Sequence, residues 1–105
     1  MQLEMLSEFV VYTQFLSIAK AAERLHMSQP NLSKHLKQLE AETGLKLFIR
    51  DGQRTRLTRT GEHFLVLSND ILDRYNTMLE ECRNLDEKNV TTINAMQHYY
   101  SDEGS

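Results

Sequence analysis

The stretch "SQPNLSKHLKQLE", residues 28–40, decides the fold, because it joins a helix-starting head to an apolar stripe that lies on one side only. Ser28 offers an N-cap, and Pro30 is tolerated in a helix only within the first turn, where its missing N–H is not needed. Leu32, Leu36 and Leu39 follow at spacings of four and three, so they share one face. With those leucines turned inward, Gln29, Asn31, Ser33, Lys34 and Lys37 are left on the outer or leading faces. That exposed set suits base edges: Gln and Asn make bidentate bonds to adenine, Ser serves either kind of edge, and Lys reaches guanine or a phosphate. Short side chains also let the helix backbone enter a major groove. The free amides and partial positive charge of a helix N-terminus favour a phosphate there.

The flanking segments give this helix a setting. Upstream, Leu3, Leu6, Phe9, Val10 and Thr13 fall on one face of a first helix, with Phe15 and Leu16 near its end. Ser17 caps a second, shorter helix with the stripe Ile18, Ala21, Ala22 and Leu25, and its alanines allow close approach of a neighbour. That helix ends near His26, and the short "HMS" turn leads into the third, so the two form a helix-turn-helix. Gly44 supplies the left-handed residue that closes the third helix. In "LKLFIRDGQRTRLT", residues 45–58, the spacing changes to short β-type runs around the turn pair Asp51-Gly52, which predicts a two-stranded wing. Arg50, Arg54 and Arg56 sit on or beside it, placed for backbone phosphates or a narrow minor groove. The expected fold is mainly α: three helices and a two-stranded wing over residues 1–58.

Thr58 can cap a long helix over 59–88, in which Phe64, Ile71, Met78 and Leu85 recur every seven residues, joined by Leu65, Leu72 and Leu79 and by Tyr75 and Cys82. From Thr60 to Lys88 such a helix runs about 43 Å at ~1.5 Å per residue, further than a small domain can cover. An antiparallel copy from a second chain is the simplest cover, so Phe64, Ile71, Leu72, Tyr75, Met78, Leu79, Cys82 and Leu85 are candidates for a dimer interface. A helix folded back on its own domain is the alternative. Residues 89–105 form a tail in which "NVTTI" has the β-branched character of a strand.

The net charge of −3 conceals an uneven arrangement. Residues 1–19 carry two acids and no Lys or Arg, 20–60 carry nine bases against four acids, and 61–105 carry three bases against nine acids. A basic middle with an acidic end separates a polyanion-binding part from a part kept off the polyanion. The length and 40% hydrophobic content suit one small domain with an appendage. With no apolar run near the ~18 residues of a membrane span, no basic signal-type start and a single cysteine, the chain reads as cytoplasmic, with Cys82 as a packed thiol.

Catalytic patterns are missing from the sequence. His26, His35, His63 and His98 are scattered, with no H-E-x-x-H or C-x-x-C, so each reads as a surface residue and no metal or other cofactor is expected. There is no P-loop, G-x-G-x-x-G or G-x-S-x-G, and adjacent acids such as Glu80 and Glu81 lie on a solvated helix face. The expected protein is not an enzyme.

The run "AAERLHMSQPNLSKHLKQLEAETGLKLFIRDGQRTRLTRTGE", residues 21–62, closely resembles the DNA-binding domain of LysR-type transcriptional regulators. The A-A-x-x-L, S-Q-P-x-x-S, L-E-x-x-x-G, L-F-x-R and L-T-x-x-G elements carry the resemblance, in order and without gaps, over residues 5–88. It implies a bacterial regulator that binds double-stranded, pseudo-palindromic operator DNA as a homodimer through the linker helix. In full-length members it also implies tetramerisation and a sensor domain, beginning near the tail, that takes a small-molecule co-inducer. By position, Gln29, Pro30, Ser33 and Lys34 would meet base edges, Ser28, Asn31 and Lys37 would support them or the backbone, and Arg50, Arg54 and Arg56 would serve the wing. Lys34 stands where the family often has Arg, and Leu16 where many members have Gly. A winged-helix protein-interaction module without useful DNA affinity is the alternative function.

Overall fold

The computed structural model describes residues 1–88, so the expected strand at "NVTTI" and the rest of the tail lie outside it. The order is α1 (Leu3–Phe15), α2 (Ile18–Leu25), α3 (Gln29–Thr43), β1 (Phe48–Asp51), β2 (Arg54–Leu57) and α4 (Arg59–Lys88). This is the winged helix-turn-helix expected from the spacing. The chain divides into two compact units, one of residues 1–72 and one that begins at Asp73. The first part of α4, to Leu72, falls within the first of these units.

The core of the first unit is built by α1, α2 and α3. Met5, Leu6, Phe9 and Tyr12 are buried from α1, Ala21 and Ala22 from α2, Leu32, Leu36 and Leu39 from α3, and Leu47 from the segment before the wing. The leucine stripe of α3 and the alanine pair of α2 fall where the periodicity placed them. The α1 face is turned from the expected one: Met5 and Tyr12 go inside, while Leu3 and Val10 are half-buried and the Thr13 hydroxyl donates to the Val10 carbonyl at 2.7 Å. Phe15 and Leu16, at the end of that helix, are exposed. Phe9 is the centre of an aromatic group, with Phe48 of β1 at 5.6 Å and Phe64 of α4 edge-on at 5.2 Å between ring centroids.

Helix ends follow from local chemistry. The Ser17 and Ser28 hydroxyls accept from the backbone N–H of Lys20 (3.3 Å) and Asn31 (3.2 Å), satisfying first-turn donors of α2 and α3. Leu16, His26 and Gly44 close α1, α2 and α3 in left-handed conformation, with φ of +51°, +55° and +69°. Only glycine takes that conformation without steric cost, so Leu16 and His26 carry strain that Gly44 does not.

The wing differs from expectation by one residue. Asp51 pairs with Arg54, so the loop is Gly52-Gln53, and Asp51-Gly52 is not the turn pair. Gly52 has φ +67°, the sign that primed hairpin turns need at the first loop position.

Candidate nucleic-acid interface

The head of α3 presents the expected residues. Gln29, Pro30, Asn31, Lys34 and Lys37 are exposed and Ser33 is half-buried, while Leu32, Leu36 and Leu39 on the opposite side are buried. Within the described residues no hydrogen bond or ion pair occupies the side chains of Gln29, Ser33, Lys34 or Lys37. Ser28 is partly committed: its oxygen accepts from Asn31 N–H, which leaves its O–H to donate outward. The result is an open row of donors and acceptors at the positive end of a capped helix, the chemistry that base edges and phosphates require.

Three contacts hold that helix and the wing in place. His35, on the flank of α3, is not a free surface histidine: its Nδ1 lies 2.7 Å from Glu8 Oε1 of α1. A carboxylate can only accept, so the ring nitrogen donates. Near the end of α3, Glu40 Oε2 accepts from the backbone N–H of Leu47 (2.8 Å) and Phe48 (3.3 Å), which ties the root of β1 to the recognition helix. Past β2, Thr58 works in both directions. Its hydroxyl donates to the Lys46 carbonyl (2.6 Å) and accepts from Gly61 N–H (2.8 Å), and its own N–H donates to the Leu47 carbonyl (3.0 Å). Sequence reasoning identified Thr58 as a cap but missed Glu40, whose place in the L-E-x-x-x-G element was the available signal.

The strand register divides the three wing arginines. Directly paired residues share a face, and Phe48↔Leu57 and Arg50↔Thr55 are pairs on the face that carries Phe48 toward the core. Ile49↔Arg56 and Asp51↔Arg54 belong to the other face. Arg56 Nε lies 3.5 Å from Asp51 Oδ2, with both side chains largely exposed. Such a pair contributes little to stability, but it partly neutralises that arginine. On the inner face, Tyr12 sets its ring edge-on to Phe48 at 5.1 Å. Burial pushes the Tyr12 phenol above its ordinary range, against the opposing effects of a hydrogen bond with Thr55 and the charge of Arg50. Tyr12, Leu16, Ile18, Arg50, Gln53, Arg54 and Thr55 line an open cleft of about 500 Å³ between the start of α2 and the wing.

Along α4 the heptad set separates. Phe64 and Leu72, expected at a dimer interface, are half-buried against the first unit's own core, as is Leu65. Both thus already have part of their cover within their own unit. Ile71, in the first unit, is exposed. In the second unit Tyr75, Met78 and Leu85 are exposed and Leu79 is half-buried. Cys82, expected as a packed thiol, is exposed. Among the described residues no group of three or more His, Cys, Asp or Glu is placed to hold a metal ion, and no helix is long and apolar enough to cross a membrane.

Comparison with known proteins points the same way. Residues 3–62 match the family model described as "Bacterial regulatory helix-turn-helix protein, lysR family". The HTH-type transcriptional regulator BsdA of Bacillus subtilis (strain 168) is 38% identical over 94 residues, covering 89% of this chain and 32% of that protein. The transcriptional regulator YdcI of Escherichia coli (strain K12) is 45% identical over 76 residues, covering 72% of this chain and 25% of that protein. The chain thus spans a quarter to a third of the length of these curated relatives. Among solved structures, the DNA-binding domain of BenM in complex with benA site 1 DNA matches with a TM-score of 0.77 at 29% identity, over 81% of this chain and 99% of that one. Full-length CbnR complexed with its target DNA matches with a TM-score of 0.73 at 31% identity, over 79% of this chain and 29% of that one.

Proposed function

This chain belongs to the lysR family of bacterial regulatory helix-turn-helix proteins, and from that premise we propose that it binds double-stranded DNA sequence-specifically, as a homodimer, without catalysis and in the cytoplasm. One observation carries the reading: the capped head of α3 leaves Gln29, Ser33 and Lys34 open while its leucine face is buried. Gln29, Pro30, Ser33 and Lys34 meet base edges in the major groove. Ser28, Asn31 and Lys37 support them, and the wing arginines meet the backbone. That solved relatives of this fold are bound to DNA supports the assignment.

Two copies pair through α4. Exposed Ile71, Tyr75 and Met78 are apolar groups that a monomer leaves in water, which supports this role for the helix. A two-fold dimer places two α3 heads in successive major grooves about 34–36 Å apart and so reads a pseudo-palindrome.

The test is selection of the purified protein against randomised duplex DNA at two salt concentrations, because phosphate contacts make affinity salt-dependent. A recovered palindrome supports the reading. Lys34→Ala then relaxes base preference by ~1–3 kcal/mol at one position, whereas loss of a phosphate-binding arginine weakens all duplexes more evenly. Absence of duplex binding at either salt concentration would overturn it.

A further inference from the structure

The hydrogen bond between His35 and Glu8 joins the recognition helix to α1 through a group that can change its charge. His35 Nδ1 lies 2.7 Å from Glu8 Oε1, and the two side chains are 35% and 13% exposed. A nearly enclosed carboxylate thus has an imidazole as its partner. Asn31, His35, Gln38 and Glu42 follow at spacings of four, three and four, so they form one row along the flank of α3, separate from Ser33, Lys34 and Lys37. Toward α1 this flank opens on a cleft of about 300 Å³ whose charged lining is Glu4, Glu8, His35, Glu42 and the Met1 amine. Glu42 is already engaged, by Gln38 Nε2 at 2.9 Å and by the Met1 amine at 3.1 Å. Neither α2, the wing nor α4 lends a residue to this cleft, and on α3 itself the nearest cation in sequence is the exposed Lys34.

The charge state of the ring decides how firmly this bond holds. A neutral imidazole carries its proton on one nitrogen only, so it donates to Glu8 in just one of its two tautomers; a protonated ring donates from Nδ1 always. Protonation also makes the bond charge-assisted at both ends, and it takes the pair from a net charge of about −1 to about 0. Both changes act in one direction. They fix α3 more firmly on α1, and they remove a negative charge from the flank of the helix that meets a polyanion. We infer that His35, bonded to Glu8, is a positioning residue that makes the setting of the recognition helix, and with it duplex affinity, depend on a proton taken up at His35. This rests on the DNA-binding reading above and adds to it a linked ligand, the proton. Linkage is reciprocal, so the duplex draws a proton onto the chain as it binds.

Duplex affinity measured at about pH 6 and about pH 8 tests the inference, because histidine changes charge across that range while carboxylates and lysines do not. The full chain and a duplex recovered by selection are used at one fixed salt concentration, and circular dichroism checks that every protein is folded at both pH values. Wild-type affinity is expected to rise about threefold from pH 8 to pH 6, where one linked proton permits up to about tenfold per pH unit. His35→Gln and Glu8→Gln are each expected to abolish this rise, and the double variant to behave as either single one. His35→Lys, a cation at both pH values, is expected to bind alike at both. The variants His26→Asn, His63→Gln and His98→Gln are expected to keep the rise. Isothermal titration in buffers of different ionisation enthalpy counts the proton directly, with uptake in the wild type and loss of that uptake in His35→Gln.

A purely structural role for the pair would lower affinity equally at both pH values, and that result overturns the inference. A rise that survives Glu8→Gln but not His35→Gln would mean that His35 acts on the duplex directly, and a rise lost with another histidine would place the proton elsewhere; either also overturns it. Wild-type binding of equal strength at both pH values defeats this inference alone. If the wild-type chain binds no duplex at either pH, the DNA reading fails and this inference with it.

Discussion

Gly61 lies near the start of α4, where helix propensity alone favours alanine over glycine by about 1 kcal/mol, so Gly61→Ala ought to be stabilising if only the helix mattered. The structure reverses the sign. A Cβ at residue 61 would fall well inside contact distance of the Leu47 carbonyl oxygen, with Leu47 C at 3.1 Å and Leu57 Cδ2 at 3.2 Å. Two of these three neighbours are backbone atoms, so no side-chain rotation relieves the overlap; α4 and the root of β1 must separate by about 1 Å to restore ordinary van der Waals spacing. The Leu47 carbonyl also accepts from Thr58 N–H at 3.0 Å, and Thr58 caps the same helix. Overpacking of this kind costs about 1–3 kcal/mol, and weakening that hydrogen bond adds about 0.5–1.5 kcal/mol. Against the ~1 kcal/mol propensity gain, the net expectation is a loss of about 1–3 kcal/mol, or a Tm lower by roughly 5–20 °C for a domain of this size. Thermal denaturation followed by far-UV circular dichroism, with the urea midpoint as a second measure, reads it directly. Gly44→Ala is the internal reference. Gly44 has φ +69° with open space around a hypothetical Cβ, so it incurs only the left-handed penalty, about 1–2 kcal/mol. A Gly61→Ala variant as stable as wild type, or more stable, would refute the close-approach argument.

Three further outcomes are expected. Leu16→Gly removes a left-handed leucine (φ +51°) that is partly exposed, and should raise Tm by a few degrees, from a strain relief of about 1 kcal/mol after the added unfolded-state entropy; a lower Tm would show that Leu16 contributes packing that outweighs its strain. Glu40→Ala leaves the Leu47 and Phe48 amides without their acceptor and should cost about 1.5–3 kcal/mol in chemical denaturation, with Glu40→Gln restoring part of it; equal stability of all three proteins would remove Glu40 from the wing's anchorage. Ile71→Glu and Met78→Glu should shift sedimentation equilibrium from dimer to monomer while leaving far-UV circular dichroism near wild type, and an intact dimer in both would rule out that face of α4.

Much of this fold was legible because its signals are local. A serine followed by a proline-containing turn and leucines at four and three specifies where α3 starts and which side it buries, and Gly44 specifies where it stops. The same holds for Ser17 and Thr58, whose hydroxyls accept from N–H groups only three residues away. The missed features all depend on partners distant in sequence. Tyr12 reads as one of several residues near an apolar stripe, and only the meeting of α1 with β1 makes it interior. Glu40 reads as a charge on a helix until its carboxylate reaches Leu47 and Phe48. The arginines read as one basic set because sequence shows their proximity, whereas the alternation of the paired strands assigns Arg50 to the face opposite Arg56.

The α4 pattern shows why periodicity alone could not separate two functions of one helix. Phe64, Ile71 and Met78 share a seven-residue spacing, which specifies a common apolar stripe but not what covers it. Phe64 is covered from within its own unit by Phe9, at 5.2 Å, and Leu72 also packs against that core. Ile71 and Met78 remain about half exposed, so the same spacing serves intramolecular packing at Phe64 and is open to association at Ile71 and Met78. A charge introduced at Phe64 should therefore unfold the domain, whereas one at Met78 should act on dimerisation. The two effects differ in concentration dependence: unfolding of the monomer at Phe64 does not change with protein concentration, while a weakened dimer is recovered by raising it.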